Sequence, residues 1–142
     1  SLTTNATYVK ATYNTDRFIT EGSTTINISG NSLPYAPKFT LSNALSVVTP
    51  FGLSAQLSAL YVDKQFTDEF NTAAPSADGL TSVIPAYLVL DLSTSYFISS
   101  LNTSISLSVK NLLDERYIVT RRPSGIRAGV QRIITVGIDF KF

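Results

Sequence analysis

The chain has 142 residues, enough for an ordinary single-domain core, and carries 11 Lys and Arg against 10 Asp and Glu for a formal net charge of +1. Charged residues make up only 15% of it, against a usual quarter; Ser, Thr and Asn supply most of the polarity, and such side chains face water or a lumen without the desolvation cost of charges. Without His or Cys, a Ser-His-Asp or Cys-His set, an imidazole metal site, thiolate ligands and disulfides all lose their central residue. No convergent set of carboxylates, Lys or Tyr replaces them, so no enzyme activity, cofactor, metal site or nucleic-acid partner is expected.

No run approaches the roughly 18 to 20 apolar residues of a spanning helix, and residues 1–20 lack a basic stretch followed by an apolar core. A helical span and a signal peptide are therefore not expected. The chain contains no Met, so it is expected to be a mature or excised piece with a segment missing upstream.

The dominant period is two. Leu2 to Tyr13 reads as a first strand, with Leu2, Thr4, Ala6 and Tyr8 opposite Thr3, Asn5, Thr7 and Val9. A long polar loop follows, about Asn14 to Tyr35. The second strand, about Lys38 to Val48, sets Phe39, Leu41, Leu45 and Val47 on one face with Asn43 as the exception, and Thr49-Pro50-Phe51-Gly52 makes a tight turn. The third, about Leu53 to Gln65, sets Leu53, Ala55, Leu57, Ala59 and Tyr61 against Ser54, Gln56 and Ser58 before a second long loop, Phe66 to Ile84.

The fourth strand, about Ala86 to Ile98, places Leu88, Leu90, Leu92, Thr94 and Tyr96 opposite Tyr87, Val89, Asp91, Ser93 and Ser95, and Ser99 to Asn102 closes a short turn. In the fifth, Leu101, Thr103, Ile105, Leu107 and Val109 alternate with Asn102, Ser104, Ser106, Ser108 and Lys110. A third long connection, about Asp114 to Val130, leads to a sixth strand in which Ile134, Val136, Ile138, Phe140 and Phe142 oppose Thr135, Gly137, Asp139 and Lys141.

The expected fold is thus all-β, six antiparallel up-and-down strands, with connections that alternate long and short. A meander of that kind sends its long loops to one end and its tight turns to the other, the asymmetry of outer-membrane barrels. Runs of about 10 to 13 residues exceed the usual five or six and suit a tilted membrane-crossing strand. Phe39, Phe51, Tyr61, Tyr96, Phe140 and Phe142 lie near strand ends, where aromatic girdles form. A soluble β-domain used for binding or adhesion is the alternative. Six strands cannot close a barrel of at least eight, and bare edges in lipid leave backbone groups unpaired. Further strands are expected, from upstream in the same polypeptide or from other subunits.

The segment Ser108-Val109-Lys110-Asn111-Leu112-Leu113-Asp114-Glu115-Arg116-Tyr117, then Gly125-Ile126, then Gly129-Val130-Gln131-Arg132 and a last strand with Phe142, resembles the C-terminal end of TonB-dependent outer-membrane receptors. Gly30 to Pro37 and Ile84 to Asp91 resemble the family's entries into descending strands, and Thr120 to Arg127 looks most like ferric-citrate-type receptors. The resemblance implies that residues 1–142 are the C-terminal part of a 22-stranded transmembrane barrel in a Gram-negative outer membrane, with the plug and earlier strands absent. It implies import of a ferric chelate, with this chain supplying wall and extracellular loops. The implied partners are outer-membrane lipid, the remaining strands and plug, TonB through the absent N-terminal region, and the ferric chelate. Receptors of the same fold for cobalamin, heme or glycans are the alternative.

Within that resemblance, Lys110, Asn111, Leu112, Asp114, Tyr117, Gly129, Arg132 and Phe142 are expected to shape strand ends and loops, with Gly129 as a flexible re-entry and Phe142 as an assembly signal. Arg121, Arg122 and Arg127 are the candidate ligand residues. Residues 110–142 hold seven basic and three acidic side chains, residues 1–109 four and seven, and guanidinium groups pair bidentately with carboxylates. A solvated basic loop is the plainer reading. Asp63, Asp68, Glu69 and Asp78 match no calcium-loop spacing.

Overall fold

The computed structural model describes residues 1–141; the expectation for Phe142 lies outside them. Its strands, in chain order, are β1 (Leu2–Tyr8), β2 (Phe18–Glu21), β3 (Thr24–Asn27), β4 (Phe39–Val48), β5 (Leu53–Val62), β6 (Gln65–Phe66), β7 (Val83–Ile84), β8 (Tyr87–Ile98), β9 (Thr103–Lys110), β10 (Ile118–Thr120), β11 (Arg127–Ala128) and β12 (Ile133–Phe140). One 3-10 turn, Ser99–Leu101, precedes β9. Six of the strands form one antiparallel sheet in the order β1-β4-β5-β8-β9-β12, an uncrossed meander. The other six pair two by two inside the long connections.

Register decides which side chains share a face, because a slip of one residue would move every apolar group to the other side. Here it holds from edge to edge. Leu2, Leu45, Leu57, Leu92, Val109 and Ile134 lie in one cross-strand row. Val47, Ala55, Thr94, Leu107 and Val136 form the next row towards the tight turns, and Leu53, Tyr96, Ile105 and Ile138 the one after. The opposite face carries Ser46, Gln56, Ser93, Ser108 and Thr135 in one row, then Val48, Ser54, Ser95, Ser106 and Gly137 in the next. Alternation within each strand has become two continuous surfaces, one apolar and one mostly hydroxylic.

No second sheet covers the apolar surface among the described residues. Ile138 is 57% and Phe140 64% exposed, and Leu88 and Ile105 also stand exposed. The polar surface is concave: hollows of about 720 and 360 Å3 open along it. Aromatic side chains mark both limits of the apolar band, with Tyr8, Phe39 and Tyr61 at the long-loop end and Phe51, Tyr96 and Phe140 at the turn end. No helix among the described residues is long and apolar enough to cross a membrane, which says nothing of a β-barrel.

The strands are shorter than the sequence pattern predicts. β1 stops at Tyr8 and β5 at Val62, giving 7 and 10 residues. Beyond Tyr8 one bond still ties the chain to its neighbour, Val9 N–H to the Lys38 carbonyl at 2.9 Å. The first connection, expected as loop, contains the β2–β3 hairpin in register Phe18 with Asn27, turning at Gly22 and Ser23. At the other end the turns are tight. Gly52 has φ +94, and a Cβ there would lie 2.7 Å from the Phe97 carbonyl oxygen, so both conformation and space demand glycine.

Candidate functional site

The residues singled out by motif converge where β9 leaves the sheet and β12 re-enters it. Asp91, on the polar face of β8, accepts from Lys110 Nζ at 2.9 Å and from the Asn111 backbone N–H at 2.9 Å. Leu112 N–H donates to the Leu90 carbonyl at 2.7 Å, so the chain stays tied to β8 for two residues beyond the end of β9. Then it turns sharply, with Asn111 at φ 50 and Asp114 at φ 55, the left-handed region that Asn and Asp tolerate best after glycine.

Asn111 is 1% exposed, and its amide does the work of a strand partner. Its Nδ2 donates to the carbonyls of Glu115 at 2.9 Å and Val130 at 2.8 Å, and its Oδ1 accepts the Glu115 N–H at 2.9 Å. One side chain thus fastens the outgoing limb of the connection to the returning limb. Asp114 adds a second tie, accepting the Arg132 N–H at 3.2 Å and facing the Arg132 guanidinium at 3.6 Å. Lys110, Asn111, Leu112, Asp114 and Arg132 therefore form a single brace at the base of the last long connection.

Gly129 has a different reason from the one expected. It has no left-handed φ; instead a Cβ there would fall inside the Tyr117 ring, and its N–H donates to the Tyr117 carbonyl at 2.8 Å. Tyr117 lies flat over bare backbone on one side and meets Tyr87 on the other, ring centroids 4.6 Å apart. Aromatic cover of a strand-entry glycine secures the packing that a side chain would otherwise give. Together with Leu60, Val89, Val119 and Val130 these rings line the larger hollow, whose polar wall includes Asn5, Ser42, Asp91 and Lys110.

The three candidate ligand arginines do not stand together. Arg121 is 5% exposed and its Nη1 donates to the Gly79 carbonyl of the preceding long connection at 3.0 Å, so it ties the two connections together. Arg122 and Arg127 are exposed. Sequence reasoning missed this because the partner of Arg121 is 42 residues away and is a backbone oxygen. Asp63, Asp68, Glu69 and Asp78 are not gathered: no group of three or more carboxylates able to hold a metal ion occurs among the described residues. Asp78 instead closes its own turn, accepting from the Ser76 hydroxyl and from the Leu80 N–H. Those two bonds hold its carboxyl below the ordinary aspartate value.

An apolar convex surface, a hydroxylic concave surface, aromatic borders and long connections confined to one end define a sector of a transmembrane β-barrel wall. Residues 1–112 match the family model described as the TonB dependent receptor-like β-barrel, and the chain belongs to that family. Among solved structures it is similar to the unliganded ferric citrate transporter FecA, with 27% identity over 75% of this chain and a TM-score of 0.65. It also superposes on the siderophore receptor PiuA from Acinetobacter baumannii over 99% of its length, with 22% identity and a TM-score of 0.76. A ferric enterobactin receptor, PfeA from Pseudomonas aeruginosa, matches 96% of it at 18% identity and a TM-score of 0.62; at such identities the two latter likenesses speak for the fold alone. The chain spans 17% of the FecA chain and 19% of each of the others.

Proposed function

We propose that this chain is wall and extracellular loop of a Gram-negative outer-membrane receptor that imports a ferric chelate, driven through TonB. The observation that carries the reading is the two-faced sheet: a convex apolar face suited to lipid and a hydroxylic concave face suited to a water-filled or plugged lumen, with every long connection at one rim. In this reading the six strands are the C-terminal sector of a 22-stranded barrel. The remaining strands, the plug and the segment that meets TonB belong to the rest of the receptor. Lipid contacts the band of Leu88, Ile105, Ile138 and Phe140.

An anionic chelate is supported by charge. The last long connection presents Arg122 and Arg127 to solvent, and exposed guanidinium groups at a rim concentrate anions and pair with carboxylates. Ferric citrate is the chelate favoured among them, because Thr120 to Arg127 resembles ferric-citrate-type receptors and FecA is 27% identical over 75% of the chain. Growth on a panel of iron sources, comparing a strain with the full-length receptor and a deletion strain, tests the reading. Loss of growth confined to ferric citrate supports it, and equal growth on every ferric chelate overturns it. Arg122→Glu with Arg127→Glu is expected to weaken ferric citrate binding about 10-fold or more at low salt and less at high salt, since exposed charges are screened; unchanged affinity removes these two residues from the site.

A further inference from the structure

The most deeply buried side chains of this molecule are in its connections. Ile28, Ile84, Asn111, Thr67 and Ser82 are each less than 2% exposed or close to it, and all five lie outside the six-stranded sheet. Connections that merely span strands do not bury apolar and hydroxyl groups this fully. The middle one packs on itself: the Ser82 N–H donates to Thr67 Oγ1 at 2.9 Å, and the Thr67 hydroxyl donates to the Ser82 carbonyl at 2.9 Å. The Ser82 hydroxyl donates in turn to the Ala73 carbonyl at 2.9 Å.

Its neighbours are fastened to it by different residues. On one side, Asn71 at φ 57 turns its amide to Ser32. There it accepts the Ser32 N–H and donates to the Ser32 carbonyl, both at 2.8 Å, as an adjoining strand would. Asn31 Nδ2 adds a bond to the Glu69 carbonyl at 2.9 Å, and Tyr35 N–H one to the Phe66 carbonyl at 2.8 Å. On the other side, buried Arg121 reaches the Gly79 carbonyl at 3.0 Å, and a Cβ placed on Gly79 would lie 3.9 Å from the Ile126 side chain.

We propose that the three long connections fold as one cap, with Asn71 and Arg121 as its positioning residues, so that this sector of the rim keeps its shape and does not open and close loop by loop. The proposal rests on the receptor reading only in taking this end of the wall for the ligand-facing mouth. It assigns any closure over a ligand to parts of the receptor outside these connections, and it makes Arg121 the residue that sets where Arg122 and Arg127 stand.

The test measures distances in the ligand-free, full-length receptor. Spin labels at Ser23→Cys, Ala77→Cys and Ser124→Cys, taken in the pairs 23–77 and 77–124, report on the first and second junctions; this chain supplies no cysteine of its own to interfere. Both pairs are expected to give one narrow distribution. Arg121→Ala is expected to broaden the 77–124 distribution at least twofold and leave 23–77 unchanged, Asn71→Ala to do the reverse, and Arg122→Ala to change neither. Broad distributions in the unmodified receptor overturn the proposal, as does either positioning variant broadening both pairs, which is what general loss of structure would give, or neither. A receptor that imports no ferric chelate would leave these distributions as stated, so the two readings fail separately.

Discussion

Asn111 is the residue on which the last long connection depends most, and its replacement has a calculable cost. Asn111→Gly removes three hydrogen bonds, to the Glu115 N–H, the Glu115 carbonyl and the Val130 carbonyl, while still allowing φ 50. At about 1 kcal/mol net for each bond, the loss is about 3 kcal/mol. Asn111→Ala loses the same bonds and adds the cost of holding a Cβ in the left-handed region, about 1 kcal/mol more. Since about 1.4 kcal/mol is a factor of ten, hydrogen exchange in peptides covering residues 111–132 should accelerate roughly 100-fold in the Gly variant and roughly 1000-fold in the Ala variant. The assay is exchange mass spectrometry on the full-length receptor in detergent, with residues 53–62 as the internal control, expected not to change. An Ala variant that exchanges less than about 10-fold faster, or a Gly variant slower than the parent, refutes the brace.

Other consequences follow from single contacts. Gly129→Ala should push the Tyr117 ring off the backbone and away from Tyr87, costing about 1 to 3 kcal/mol as overpacking does; adding Tyr117→Ala should recover most of that, which a double-mutant cycle on thermal unfolding measures. Leu107→Arg, on the apolar face near mid-strand, should cost about 2 to 4 kcal/mol in lipid, whereas Ser108→Arg, next in sequence and on the concave face, should cost little; refolding titrations into bilayers compare them. The Asp78 carboxyl is held low by Ser76 and Leu80, so its contribution to the 76–80 turn is fully present above the ordinary aspartate value of about 3.9 and is lost as pH falls through its own lower value. Protection of the Leu80 amide should accordingly be constant from neutral pH to about 4 and decline only below.

The wall was legible in the sequence because lipid and lumen impose a period of two, which single residues such as Asn43 and Val48 interrupt without shifting it. Leu88, Leu90 and Leu92 against Ser93 and Ser95 already declare two faces, and the register places them there. The alternation of long and short connections was equally readable, since Pro50 and Gly52 or Ser99 to Asn102 leave no room for more than a turn. Less was legible in the connections. β2 and β3 hide in a polar stretch because an exposed hairpin needs no apolar alternation, and Gly22 was its only sign. Asn111 could be read as a strand-end residue, but its partners at Glu115 and Val130 depend on how the two limbs meet. Arg121 and Arg122 look alike in sequence; only a fold that brings residue 79 beside Arg121 sets a buried, bonded guanidinium apart from an exposed one. In the sequence Gly129 offers only flexibility; in the fold it leaves space for the Tyr117 ring.

In the proposed receptor, one face of the sheet meets lipid and the other an aqueous or plugged lumen. Spin labels placed singly at each position from Leu88 to Tyr96 in the membrane-embedded, full-length receptor test it most directly, through collision with oxygen, which concentrates in lipid, and with a water-soluble nickel chelate. A period of two is expected: high oxygen and low nickel access at residues 88, 90, 92, 94 and 96, with low oxygen access at 89, 91, 93 and 95. Equal access along the strand, or oxygen access absent from the even positions because they pack against protein, would contradict it.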